Sequence, residues 1–209
     1  MPQARIEKRL AAFRELLSFL DSASLPAPSG ALHHLANDTF RRLRSQIRAV
    51  LAVATADGID GDDVAVIARP LLEAGITVGW VGKDEMKVAQ FRQHMRDQAL
   101  VFMREFVDAL NGGPLTTSPK YPRFPTLRRR AKEAGHFYAN AYAMGYPSMS
   151  AATHGLAGEL MRSMEPGLIA TSNALEHAAV GAALILIWVG AVFGRENLRN
   201  VAARLVNEQ

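Results

Sequence analysis

Residues 178–194 (AAVGAALILIWVGAVFG) run for 17 positions without a charge, and a chain that contains such a stretch has to hide it. Two places can take it: a bilayer, or the middle of a bundle where every face of a helix meets protein. Seventeen residues are at the short end of the roughly 17 to 25 that span a bilayer, and five alanines and three glycines dilute the stretch. Length and composition therefore predict a buried central helix, no stable membrane insertion and a cytoplasmic protein. The N-terminus agrees. MPQARIEKRLAAFRELLSFL carries Glu7 and Glu15 among its bases, so it reads as a peripheral helix over 3–21 and not as a leader, which would need a continuous apolar run.

Elsewhere the apolar residues recur at helical spacing. Ile6, Leu10, Phe13, Leu17 and Leu20 form one stripe. SASLPAPSG at 22–30 cannot continue it. A second helix over 31–56 turns Leu35, Leu43, Ile47, Val50 and Leu51 inward. A third follows an N-cap at Asp62 or Asp63 and contains Pro70, which frees the carbonyl of Val66 and bends the axis unless the helix starts at Arg69. A fourth spans 84–110 and stops at Gly112-Gly113-Pro114. After a loop over 111–125 come a helix over 126–144, a break at Gly145-Tyr146-Pro147-Ser148, a short helix to 163 and a long helix over 171–206. The expected fold is all-α: a single helical bundle over 1–209, of six or seven helices, with a buried apolar C-terminal helix.

At 209 residues and 49% apolar content the chain can bury a core, and with no cysteine it has no thiol nucleophile, thiolate zinc site or disulfide. Charge is uneven. RRLRSQIR at 41–48 holds four arginines and KYPRFPTLRRRAK at 120–132 six basic residues; without those ten, the 24 Lys and Arg fall to 14 against 20 acids. Basic segments on an acidic body imply an anionic partner, either a small anionic ligand or RNA.

Two groups of polar residues suit a site. Arg69 and Glu73 are four apart on an otherwise apolar helix, which puts them on one face as a structural clamp or a ligand-facing pair. The segment HFYANAYAMGYPSMSAATHG offers Tyr138, Tyr142, Tyr146, Ser148, Ser150 and His154 as acids, bases and orienting groups. Together these resemble a family of all-helical bacterial proteins of unknown function with an Arg-x-x-x-Glu helix and a Tyr-x-x-x-Tyr segment leading through Ser to His. The resemblance spans roughly residues 30–205. It implies that Arg69, Glu73, Tyr138, Tyr142, Ser150 and His154 converge as a ligand-binding set.

Arg130 and His136 are separated by five residues, a spacing similar to the signature of HEPN-type ribonucleases, although Ala131 stands where that family usually has a polar residue. The resemblance implies metal-independent attack of a ribose 2′-hydroxyl on phosphate, with Arg130 and His136 catalytic. Glu133-x-x-His136 is half of a di-iron motif without its second half, and no Walker loop, dinucleotide fingerprint or nucleophile elbow occurs. No metal or cofactor is expected. Three functions fit: a binding or regulatory bundle with a pocket for a small or nucleotide-like anion, a ribonuclease of the toxin or phage-defence kind, or a structural homo-oligomer.

Overall fold

The structure, a computed structural model, describes residues 2–56, 61–110, 124–153 and 166–207. These residues form eight helices and no strand: α1 (Pro2–Ser22), α2 (Ala31–Ala54), α3 (Gly61–Val81), α4 (Glu85–Leu110), α5 (Leu127–Ala134), α6 (His136–Thr153), α7 (Pro166–Phe193) and α8 (Glu196–Asn207). The apolar stripes point as their spacing requires. Ile6, Leu10, Phe13 and Leu20 of α1 are buried, as are Leu35, Leu43, Ile47 and Val50 of α2, while Leu17 and Leu51 are half-buried. Asp62 and Asp63 lie in the first turn of α3, where negative charge suits the helix dipole. Asp84 caps α4, its Oδ1 accepting from the N–H groups of Met86 (2.9 Å) and Lys87 (3.3 Å).

The centre of the bundle is the α3–α7 pair. Gly75 and Gly181 let the two backbones touch: a methyl group on Gly181 would lie 2.5 Å from the carbonyl carbon of Leu71, and one on Gly75 would lie 2.8 Å from the carbonyl oxygen of Gly181. By length and composition alone Gly61–Val81 and Leu168–Phe193 would each cross a bilayer, but 61% and 67% of their most apolar stretches are buried inside the bundle. That burial matches the central helix expected at 178–194, with α3 as its partner.

The described residues alone form eight helices where six or seven were expected for the chain, because two glycines cut helices that read as continuous. Gly135 (φ +116°) separates α5 from α6, so the helix expected over 126–144 is two. Gly194 (φ +65°) ends α7, and the Arg195 N–H returns 2.8 Å to the Gly190 carbonyl, so the helix expected over 171–206 is also two. Conversely, the break expected at 145–148 is absent: α6 runs through Pro147. Ala143, whose carbonyl Pro147 cannot bond, is exposed, and water can take that partner's place. The same holds for Pro70 and the exposed Val66 in α3, which is helical from Gly61 onward. The short helix expected up to 163 falls mostly, and His154 wholly, outside the described residues.

Candidate functional site

Arg69 and Glu73 pair on one flank of α3, with Nε donating to Glu73 Oε1 at 2.7 Å. Arg69 Nη2 donates to the Tyr146 hydroxyl at 2.9 Å, its guanidinium lies over the Tyr146 ring at 5.0 Å, and Tyr146 stacks on Tyr142 at 5.0 Å. The bond to Glu73 raises the Arg69 pKa against the opposing effect of burial. The pair is half-exposed, with side-chain exposures of 21% and 37%. It is therefore not the deeply buried pair that an apolar helix suggests.

Glu73 also borders a second feature. A cavity of about 740 Å³ opens between α2, α3, α4 and the start of α5, lined among others by Arg42, Glu73, Arg92, His94, Arg96 and Arg130. Thr126 caps α5 through the Arg129 N–H, and this turn aims Arg130 inward. Arg130 Nε donates to the Pro125 carbonyl (3.1 Å), Nη1 donates to the Thr77 hydroxyl, and the guanidinium covers the Phe124 ring at 4.7 Å. All three partners are uncharged. Burial lowers the Arg130 pKa, with the nearby Glu73 charge opposing it.

His94 stacks flat on Phe124, with ring centres 4.0 Å apart and planes 5° from parallel. Burial, aided by the Arg130 charge, lowers the His94 pKa against the effect of Asp97. Four arginines thus share the cavity wall with two carboxylates, Asp38 and Glu73, and Glu73 is already committed to Arg69. This arrangement suits an oxyanion: guanidinium groups bind carboxylate and phosphate through paired N–H donors, and the aromatic pair offers a face to stack on.

The structure brings Arg69, Glu73 and Tyr142 together through Tyr146. It places Tyr138 differently, with its ring against the backbone of Gly79, where a methyl group would lie 2.0 Å from Cε1. Burial raises the Tyr138 pKa. Ser150 is half-buried on α6. Arg130 and His136 take separate partners, since His136 Nε2 is exposed and 3.1 Å from the Asn140 side-chain nitrogen, whereas Arg130 turns to Thr77.

Arg42, Arg92, His94, Arg96 and Phe124 were not legible as a set. The available signal was Arg92 and Arg96, four apart and hence on one face of α4. Among the described residues no group of three or more His, Asp or Glu is arranged to hold a metal ion.

Residues 2–113 match a family described as "ABATE: Putative stress-induced transcription regulator". The match takes in more than half of the chain. The chain belongs to the ABATE family. The ABATE segment holds α1 to α4 and with them Arg42, Glu73, Arg92, His94 and Arg96; Phe124 and Arg130 close the cavity from beyond it. No curated protein and no solved structure matches the chain.

Proposed function

We propose that this chain is a cytoplasmic regulatory protein that senses a small or nucleotide-like anion in the cavity between α2, α3, α4 and α5. The observation that carries the reading is Arg130. A half-buried guanidinium has lost hydration, and an ion pair normally offsets that loss. Here the contacts are a hydroxyl, a carbonyl and an aromatic face, and Nη2 makes no hydrogen bond among the described residues. Glu73 acts on Arg130 only through space and is hydrogen-bonded to Arg69, so a bound oxyanion would supply the directly paired charge that Arg130 lacks. Membership of a family described as transcription regulators supports a sensing role over a catalytic one, because a sensor needs a ligand-dependent change in the protein and no reacting groups.

The test is a melting curve with and without inorganic phosphate or a nucleoside triphosphate at constant ionic strength. A saturating ligand stabilises by mass action, about 2.7 kcal/mol at a hundredfold excess over Kd. The wild type is expected to melt higher with at least one of these anions, and Arg130→Gln to melt close to the ligand-free wild type and lose the response. A full response in Arg130→Gln, or no response of the wild type to either anion, overturns the reading.

A further inference from the structure

Building on that reading of the cavity, we propose that a polyvalent oxyanion bridging Arg130 to Arg92 and Arg96 fixes α4 on the rest of the bundle, so that ligand binding sets how tightly this helix docks. The first observation is how few of the described side chains of α4 are buried. It is 26 residues long, about 39 Å at 1.5 Å per residue, yet among its described side chains only Val88 and Asp97 are buried. That is two of 19 described side chains in α4, against twelve of 21 residues in α3. Met86, Met95, Leu100, Met103 and Val107 of α4 are exposed, and its packing is chiefly against α2 and α3.

The second observation is which groups face each other across the cavity. Arg92 and Arg96 come from α4, Arg42 from α2 and Arg130 from α5. With Glu73 held by Arg69, Asp38 is the remaining carboxylate on the wall. Without ligand, the cationic face of α4 therefore meets cations on the body, and like charges disfavour close docking. An anion carrying two or more charges reverses this, since it can accept from guanidinium groups on both sides at once. A monovalent anion neutralises only one of the facing charges. The ligand thereby acts through its different affinity for docked and undocked α4, which is the requirement for coupling a site to a conformational change.

The experiment combines calorimetric titration of the whole chain with inorganic pyrophosphate and amide hydrogen exchange of α4 and α7, at ionic strength held constant with sodium chloride. Pyrophosphate is expected to slow exchange in α4 by about fivefold or more, the lower end of usual coupling, beyond the slowing in α7, which reports the general stabilisation of the fold by a bound ligand. The Arg92→Gln/Arg96→Gln double variant should bind more weakly, through Arg130 and Arg42 alone, and show no slowing of α4 beyond that of α7 even at saturating pyrophosphate. Arg96→Gln alone, at an exposed position, gives a partial loss if the double variant does not fold. Binding by the wild type with α4 slowed no more than α7 overturns the inference and leaves the cavity reading standing; absence of binding overturns both. Equal slowing by added sodium chloride, or in the double variant, shows screening and not bridging, and likewise overturns it.

Discussion

Arg9 and Arg130 are both guanidinium groups drawn into the same bundle, and they are treated in opposite ways. Arg9, with its side chain 3% exposed, gives Nε (2.7 Å) and Nη2 (2.5 Å) to the two carboxylate oxygens of Glu176 and Nη1 to the carbonyl of Leu205. It ties α1 to α7 and α8 with its charge countered in a bidentate pair. Arg130 finds only neutral acceptors and an aromatic face, beside an open cavity. A cation whose charge is met inside the fold is part of the fold. One whose charge is left to a cavity is available to a ligand.

The largest test of this contrast is Arg9→Met, which keeps the apolar stem and removes the charge. It leaves Glu176 and the Leu205 carbonyl without their donor. Removing one partner of a fully buried pair costs about 3 to 5 kcal/mol. Glu176 retains 34% side-chain exposure, so water offsets part of this and the expected loss is roughly 2 to 3 kcal/mol, read as a lower midpoint in urea unfolding. A loss below about 0.5 kcal/mol, the level of an ordinary surface change, would place Arg9 with the solvated arginines and remove one side of the comparison.

Arg69→Ala should have the smaller effect. The Arg69–Glu73 pair is half-exposed, and exposed pairs contribute about 0.2 to 1 kcal/mol; the Tyr146 ring adds a cation–π contact of similar size. The expected loss is about 1 kcal/mol in the same unfolding assay. If Arg69→Ala matched Arg9→Met, exposure would not be what separates a clamp from a surface pair.

The all-helical class and the central position of α7 were legible because a long uncharged run and spacings of three and four residues survive any tertiary arrangement. The helix ends were less so. A proline is a strong stop signal only when the carbonyl it abandons has no other partner, and Ala143 faces solvent. Gly135 and Gly194 looked like the other helical glycines until their backbone angles were known. Arg9 escaped notice because it sits among Ile6, Leu10 and Phe13 as one more base on an amphipathic helix, though Glu176 is the single charge in α7. The Arg130 cavity depends on four separate elements, and no spacing along the chain reports that. Arg69, Glu73, Tyr142 and Tyr146 were readable as a group because an ionic pair in an apolar helix and a polar-rich segment have few neighbours to choose from, whereas Tyr138 packs on Gly79 instead.

The smallest effect is in the pH dependence, where each region supplies one histidine that keeps some solvent contact. His94 lies in the cavity, flanked by Arg130 and Asp97; His177 lies beside Glu176, packed against Gly145, and its buried Nδ1 has no hydrogen-bond partner among the described residues. Burial lowers both pKa values from the ordinary 6.5, with Arg130 adding to the effect at His94 and Glu176 opposing it at His177. Both rings are thus neutral in the fold at a pH where the unfolded chain binds protons. Stability from these groups is complete above about pH 6.5 and is lost as the pH falls below it, until the folded state also takes up the protons. Melting temperature should therefore fall on acidification from pH 7.5 to 5.5, and His94→Phe or His177→Leu should each flatten part of the fall. Sulfate separates the two regions. It stays divalent over this range, and in the cavity it would counter the Arg130 charge, the lesser of the two effects, after burial, that keep His94 neutral, so it should flatten part of the profile of the wild type and of His177→Leu but leave that of His94→Phe unchanged. An equal effect of sulfate on both variants would mean that the anion acts on the whole surface, and that Arg130 and Arg9 do not differ in the way their partners suggest.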